Sequence, residues 1–323
     1  MSVKDNLLAL LDQDRGEYIS GEQIAEHLGV SRTAVWKAIK SLQEDGYRIS
    51  AVTNRGYALS EDTDILSAQS VSKYLTGPAR DLRLSAFKSL PSTNQSARER
   101  ALQGEEEGLV VLTDRQTVGR GRSNRTFFSP PGTGLYLSVL LRPKLAVGEA
   151  LLLTTAAAVA VAEAIETCSG KTAQIKWVND VLIDGKKVSG ILTDAALALE
   201  NGGMDYAIVG IGVNVLPPAG GFPPELRDIA GSVFSRETGD VRSRLAGEIL
   251  NHFMRFYANL SAREFLAPYR ERLFFLGRTV SVQKRDGPTP AVALGVDDNF
   301  RLQVRYDDGR EEWLSSGEIR ISL

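Results

Sequence analysis

Arg120, Arg122 and Arg125 fall within six residues, interleaved with Gly119 and Gly121 and followed by Thr126-Phe127-Phe128-Ser129-Pro130-Pro131-Gly132. Guanidinium groups are planar, permanently charged donors matched to carboxylate and phosphate. Glycine lets backbone N–H groups close on a ligand, and successive N–H groups make an anion-binding concavity. The stretch therefore predicts a flexible cationic loop tethered to a rigid anchor, suited to an organic anion or, as a surface loop, to nucleic acid. Lys176 is the second pointer. Within Ile175-Lys176-Trp177-Val178 it either snorkels outward or turns into a site and meets an anion there. Asn179-Asp180 and the Asp184-Gly185-Lys186 turn beyond keep an ordinary surface strand open as the alternative.

The surrounding segments must position these groups. Ser85-Ala86-Phe87 reads as a short strand, and Ser92-Thr93-Asn94 opens a helix whose first turn includes Gln95. Residues 109–113 form an apolar strand running to Gln116 and the arginine loop, and residues 135–141 lead back out. The run from Ala150 to Ala164, bounded by Glu149 and Glu163, is shorter than the ~20 residues of a membrane span and reads as a buried core helix. Residues 174–183, 187–192 and 206–215 are further strand segments, the first two joined by the Asp184-Gly185-Lys186 turn. Helices alternating with hairpin-linked strands predict an α+β domain with a mainly antiparallel sheet.

Composition bounds the rest. A chain of 323 residues calls for two or three domains. A net charge of -2 gives no global attraction to nucleic acid or anionic lipid, so such binding must come from a local patch. The single cysteine, Cys168, excludes an internal disulfide and is expected to be inert packing in a reducing cytosol. With no targeting segment visible, a cytoplasmic protein without membrane contact is expected.

At the N-terminus, Leu7, Leu8, Leu10 and Leu11 mark a first helix. Ile24, Ala25 and Leu28 face inward on a second, Gly29 breaks it, and Ser31 caps a third whose inner face is Val35, Ile39 and Leu42. That is a helix-turn-helix pattern. Its outer face carries Arg32, Thr33, Trp36, Lys37 and Lys40, and the turn Thr53-Asn54-Arg55-Gly56 adds Arg55 at the tip of a hairpin. Helix-turn-helix plus hairpin resembles the winged-helix family. Residues 1–60 hold seven Lys/Arg against eight Asp/Glu, so one copy binds DNA weakly and two copies acting together are expected. A protein-interaction module with a solvated charged face is the alternative. From Gly277, short alternating strands separated by Asp286-Gly287-Pro288 and Asp307-Asp308-Gly309 predict a small β unit.

In order along the chain stand Ser92-Thr93-Asn94-Gln95, Gln116 with Gly119-Arg120-Gly121-Arg122 and Arg125, Ser129-Pro130, Lys176-Trp177-Val178-Asn179-Asp180 and Gly190-Ile191-Leu192. Their ordered combination resembles the biotin protein ligase family and, with the N-terminal module, its bifunctional ligase and biotin-operon repressor members. The resemblance covers essentially the whole chain. It implies a winged helix-turn-helix over residues 1–62, a ligase domain over 65–276 and an SH3-like barrel over 277–323. It also implies biotin and ATP as substrates with Mg²⁺ on the triphosphate, formation of biotinyl-5′-adenylate, and transfer to a lysine of a biotin carboxyl carrier protein. Operator DNA and a homodimer are the other partners it implies.

By the same resemblance, Arg120, Arg122 and Lys176 are the catalytic cations. Ser92, Thr93, Asn94, Gln116 and the Gly121 backbone meet biotin together with those three cations, while Arg122, Arg125, Asn179 and Asn214 meet the nucleotide. The sequence departs from the family pattern at Ser123-Asn124, which replaces a basic residue and glycine, at Val178 for Pro, at Phe127 for Trp, and at Gly231-Ser232 for Thr-Ser. A ligand-sensing repressor without ligase activity and a lipoate-type ligase relative are the competing readings. The arginine loop and the winged helix count against the lipoate-type relative.

Overall fold

The computed structural model describes all residues except 1, 45, 62, 123–124, 198–202, 237–238, 285–286, 316–318 and 322–323. Helix α1 (Val3–Gln13) starts at a capping box in which Ser2 and Asp5 exchange hydrogen bonds, and α2 (Gly21–Leu28) at a second box formed by Ser20 and Gln23. Gly29, at φ 63°, stops α2 in the left-handed conformation that spares a side chain. The Ser31 hydroxyl then accepts from the Ala34 N–H at 3.2 Å and caps α3 (Arg32–Glu44). Strands β1 (Ile49–Val52) and β2 (Gly56–Leu59) pair antiparallel as the wing. Leu7, Leu11, Ile24, Val35, Ile39 and Leu42 form a separate core beneath them.

After a short α4 (Ala68–Ser72), the chain builds the central layers. Strand β3 (Arg83–Phe87), helix α5 (Thr93–Leu102), strands β4 (Leu109–Thr113) and β5 (Gly134–Leu141) and helix α6 (Ala150–Ser169) follow in turn. Next come β6 (Gln174–Lys176), β7 (Asp180–Ile183), β8 (Lys186–Leu197) and β9 (Met204–Asn214), then α7 (Val241–Ala258) and α8 (Leu266–Glu271). The sheet order is β3-β4-β5-β9-β8-β7-β6, antiparallel at every described ladder except β3 with β4. Period-two alternation divides it into two faces. Leu112, Val139 and Val209 join α6 and α7 in the main core, whereas Val111, Leu140 and Ile208 pack under Ala97 and Ala101 of α5.

Alanines 156–158, 160, 162 and 164 of α6 are fully buried, so this helix, apolar and long enough to span a bilayer, is the centre of the core. Cys168 near its end has its thiol pushed up to about 11 by burial, which keeps it a thiol at neutral pH. Residues 174–183 are not one strand. A turn at residues 177–179 folds them into the β6–β7 hairpin, and the peptide bond entering Val178 is cis. Helix α7 was not anticipated from the sequence.

Strands β10 (Thr279–Lys284), β11 (Gly287–Val296), β12 (Leu302–Tyr306), β13 (Glu311–Leu314) and β14 (Ile319–Ile321) make an antiparallel sheet in the order β13-β12-β11-β10-β14. Its Val280, Ala293, Phe300 and Val304 belong to the same continuous core as α6 and α7. The N-terminal unit instead meets the central one through charge. Asp240 receives Lys73 at 2.5 Å, Arg15 at 3.3 Å and the Tyr74 hydroxyl at 2.8 Å, and Lys73 also reaches Asp12 at 2.8 Å. Two residues on, buried Arg242 of α7 binds Asp64 of the link at 2.8 Å and Asp114, just past β4, at 2.5 Å.

Candidate active site and DNA-binding face

The arginine loop is closed by its own backbone. Gly121 N–H donates to Arg125 O at 2.7 Å, and Phe127 N–H donates to Gly119 O at 3.0 Å. Arg120 bridges Thr126, and Gln116 bridges Leu90 where the loop leaves β4. Gly119 is required by close approach, because a Cβ there would lie 2.4 Å from the Phe127 carbonyl oxygen and 2.7 Å from Ser129 Oγ. Ser123-Asn124 lie outside the described residues.

Ser92, Thr93, Asn94 and Gln116 come together at the N-terminus of α5, where Ser92 is the N-cap. Gln116 Oε1 accepts from the Thr93 N–H at 2.9 Å, and its Nε2 donates to Ser129 Oγ at 3.1 Å. Ser138 Oγ of β5 donates to Asn94 Oδ1 at 2.6 Å and is hydrogen-bonded to the Thr93 hydroxyl at 2.7 Å. Asn94 Nδ2 donates to Asp194 at 3.0 Å, so its amide is engaged at both ends by the protein. The hollow beside this cluster measures about 30 Å³, room for only a water or two. The Phe127 ring lies across it, 2.7 Å from where a Cβ of Gly212 would be and 3.5 Å from that of Gly190.

Next to this hollow, and sharing Arg120, Phe127, Gly190 and Leu192 with it, opens a cavity of about 810 Å³. Arg120, Arg122, Arg125, Lys176, Asn179 and Asn214 all line it, so residues far apart in the chain meet on one wall. Lys176 is placed by ending β6 just before the turn. Asn179 Oδ1 receives Arg122 Nη1 at 3.0 Å, and its Nδ2 donates to the Ile191 carbonyl of β8 at 2.9 Å. The loop arginine is thereby tied to the sheet. Sequence reasoning missed Lys187 and Asp180 as a pair in the lining, joined at 2.6 Å. It also missed Phe222, Leu226 and Ala230, which form an apolar wall near Gly231. The one signal for Lys187 was its place next to a Gly-Lys turn. A lining of five cations and two carboxylates, Asp180 and Asp228, favours a polyanion.

At the other end, Arg32, Thr33, Trp36, Lys37 and Lys40 are exposed on the outer face of α3, with Lys40 5.7 Å from the Trp36 ring. Arg55 is exposed at the wing tip, its guanidinium 4.4 Å from the Tyr18 ring.

A cationic cavity on a mainly antiparallel sheet, in a chain with an N-terminal helix-turn-helix unit and a C-terminal β unit, defines a class that comparison makes specific. Residues 86–214 match the profile of the biotin/lipoate A/B protein ligase family, residues 4–58 that of an HTH domain, and residues 275–321 that of the biotin protein ligase C-terminal domain. The chain is 35% identical over 325 residues to the bifunctional ligase/repressor BirA of Bacillus subtilis (strain 168), covering 99% of each chain. Against the bifunctional ligase/repressor BirA of Escherichia coli (strain K12) the identity is 30% over 337 residues, covering 99% of this chain and 98% of that one. A biotin protein ligase from Aquifex aeolicus in complex with biotin and ATP matches with a TM-score of 0.61 and 28% identity, over 74% of this chain and 99% of that chain. The chain belongs to the family of bifunctional biotin ligases and repressors.

Proposed function

We propose that this chain makes biotinyl-5′-adenylate from biotin and ATP, passes the biotinyl group to a lysine of a biotin carboxyl carrier protein, and represses transcription in the cytoplasm as an operator-bound homodimer. We assign DNA binding to residues 1–62, ligation to 65–276 and the C-terminal unit to 277–323. The observation that carries the reading is the junction of a cationic cavity with a small polar cluster, the two sharing Arg120, Phe127, Gly190 and Leu192 in their linings. Biotin has the matching shape, a polar ureido head at one end and a carboxylate at the other.

Bringing the biotin carboxylate to the α-phosphate opposes two negative charges, so the site works through positioning and fixed positive charge. Lys176, Arg120 and Arg122 supply that charge where the carboxylate oxygen attacks phosphorus and pyrophosphate leaves. Arg125, Asn179 and Asn214 serve the nucleotide, with Lys187 beside them. In the second step the carrier lysine amine attacks the anhydride carbonyl and AMP leaves. Mg²⁺ on the triphosphate would add positive charge against the phosphates and would need only one or two protein carboxylates; Asp228 of the lining would hold it, since Asp180 is paired with Lys187 at 2.6 Å.

The ureido head is read by Thr93, Gln116 and Ser92, with Asn94 fixed behind them by Ser138 and Asp194. For it to enter, the Phe127 ring must leave the space against Gly190 and Gly212. The moved loop then covers the ligand and excludes water from a hydrolysable anhydride. Ordering of this loop is the step through which ligand favours the homodimer, and two helix-turn-helix copies then bind two half-sites together.

Incubating the protein with labelled biotin, ATP and Mg²⁺ tests the reading. Labelled adenylate forms, and the label moves to an added carrier domain. Biotin binding without adenylate would leave a sensor rather than a ligase.

A further inference from the structure

The backbone around Lys176 is held from beneath by the last sixty residues of the chain. Ile175 N–H donates to the Arg272 carbonyl at 2.9 Å. The Trp177 indole N–H donates to the Phe300 carbonyl at 2.8 Å. The Tyr269 hydroxyl donates to the Val178 carbonyl at 3.1 Å. Residues on both sides of the lysine are thus tied to α8, its C-terminal end and the β11–β12 connection. The ties are themselves stiff. Tyr269 and Phe300 are fully buried, their rings meet edge to face at 5.2 Å, and Phe265 stacks on Phe300 at 5.5 Å. Burial holds the Tyr269 hydroxyl far above its ordinary pKa, so it stays protonated and a donor at every working pH.

We propose that Tyr269 and Phe300 are positioning residues for the adenylation step: they clamp the Ile175–Val178 backbone and so aim Lys176 into the cavity. This rests on the reading of Lys176 as the cation between carboxylate and α-phosphate. A side chain on a short strand end is only as well placed as its backbone, and displacements of about 1 Å at a reacting centre cost on the order of 10²-fold in rate. Nothing in the clamp touches Ser92, Thr93 or Gln116. Loosening it therefore affects the chemical step and leaves biotin binding alone. Through Phe300 the C-terminal unit becomes part of the catalytic apparatus without contributing a residue that meets substrate.

Tyr269→Phe removes one hydroxyl and keeps the packing. Single-turnover adenylation at saturating biotin and ATP falls about tenfold, the loss expected for one buried hydrogen bond. The dissociation constant for biotin stays within twofold. In a Lys176→Ala background the same substitution changes the residual rate less than twofold, because the residue it acts through is gone. Trp177→Phe, which removes the indole donor to Phe300, gives the same pattern, and thermal unfolding confirms that each variant is folded. Wild-type rates in Tyr269→Phe and Trp177→Phe beside a defective Lys176→Ala overturn the clamp alone. Equal losses in both backgrounds also overturn it, as general damage to the fold. A wild-type rate in Lys176→Ala overturns the assignment of Lys176, and the clamp with it.

Discussion

Replacing Arg242 with Met tests how the DNA-binding unit and the ligand loop share one anchor. Arg242 is 4% exposed. Its Nε donates to Asp64 at 2.8 Å, its backbone N–H to the other Asp64 oxygen at 3.2 Å, and Nη1 to Asp114 at 2.5 Å. The Asp64 carbonyl accepts a further guanidinium hydrogen bond. The Asp64 side chain is only 2% exposed, so removing the guanidinium leaves a carboxylate that water cannot reach. Breaking such a buried pair from one side costs about 3–5 kcal/mol. At about 2–4 °C per kcal/mol, the unfolding midpoint drops on the order of 10 °C by scanning calorimetry. Adding Asp64→Asn removes the stranded charge and recovers a kilocalorie or more, about the desolvation cost of an unmet buried group. Biotin binding weakens as well, since Asp114 also accepts the Gly132 N–H at the end of the ligand loop. A loss below about 1 kcal/mol, or no recovery in the double variant, would refute the buried-charge account.

Three other outcomes follow from the site and the seam. Lys176→Ala and Arg122→Ala each reduce single-turnover adenylation on the order of 10²-fold, as for other preorganised electrostatic donors, and unchanged rates would remove them from the chemistry. Operator binding strengthens with biotin and ATP and falls steeply with salt; replacing Arg32, Lys37 and Lys40 by Ala lowers the slope of log affinity against log salt by about three per protomer, and an unchanged slope would place DNA elsewhere. Burial opposes the charge of Asp240, but hydrogen bonds from Lys73 and Tyr74 and the Arg15 charge hold its carboxyl below the usual carboxylate range. Its stabilising contribution is therefore complete above the unfolded value of about 3.8 and is lost as pH falls through the lower folded value, so protease sensitivity of the link near residues 60–66 rises only in that acid window and is constitutive in Asp240→Asn.

Local signals in the sequence went a long way. Ser20, Gly29 and Ser31 are capping and stopping residues whose chemistry acts within one turn, and they fixed the helix-turn-helix and left Arg32, Lys37 and Lys40 on its outer face. Near-continuous apolar runs in residues 109–113, 135–141 and 206–215 marked strands because a sheet buried on both faces demands them. The residue types at 120, 122, 125 and 176 announced an anion site before any distance was known.

Tertiary structure decided what those residues do with one another. No spacing rule says that Asn179 ties Arg122 to β8, that Ser138 and Asp194 engage Asn94, or that Phe127 lines both the polar cluster and the cationic cavity. The Arg122–Asn179, Ser138–Asn94 and Asn94–Asp194 bonds among them join residues 44 to 100 apart, set by strand order and by which face each strand presents. The parallel β3–β4 pair, helix α7 and the support of Lys176 by Tyr269 and Phe300 are of the same kind. Sequence by itself determined the local elements and the charges they carry, because those depend on neighbours within a few residues. Only the packed fold determined their partners, because it alone brings distant backbone and side-chain groups into a space that excludes water, where each polar group must find a match.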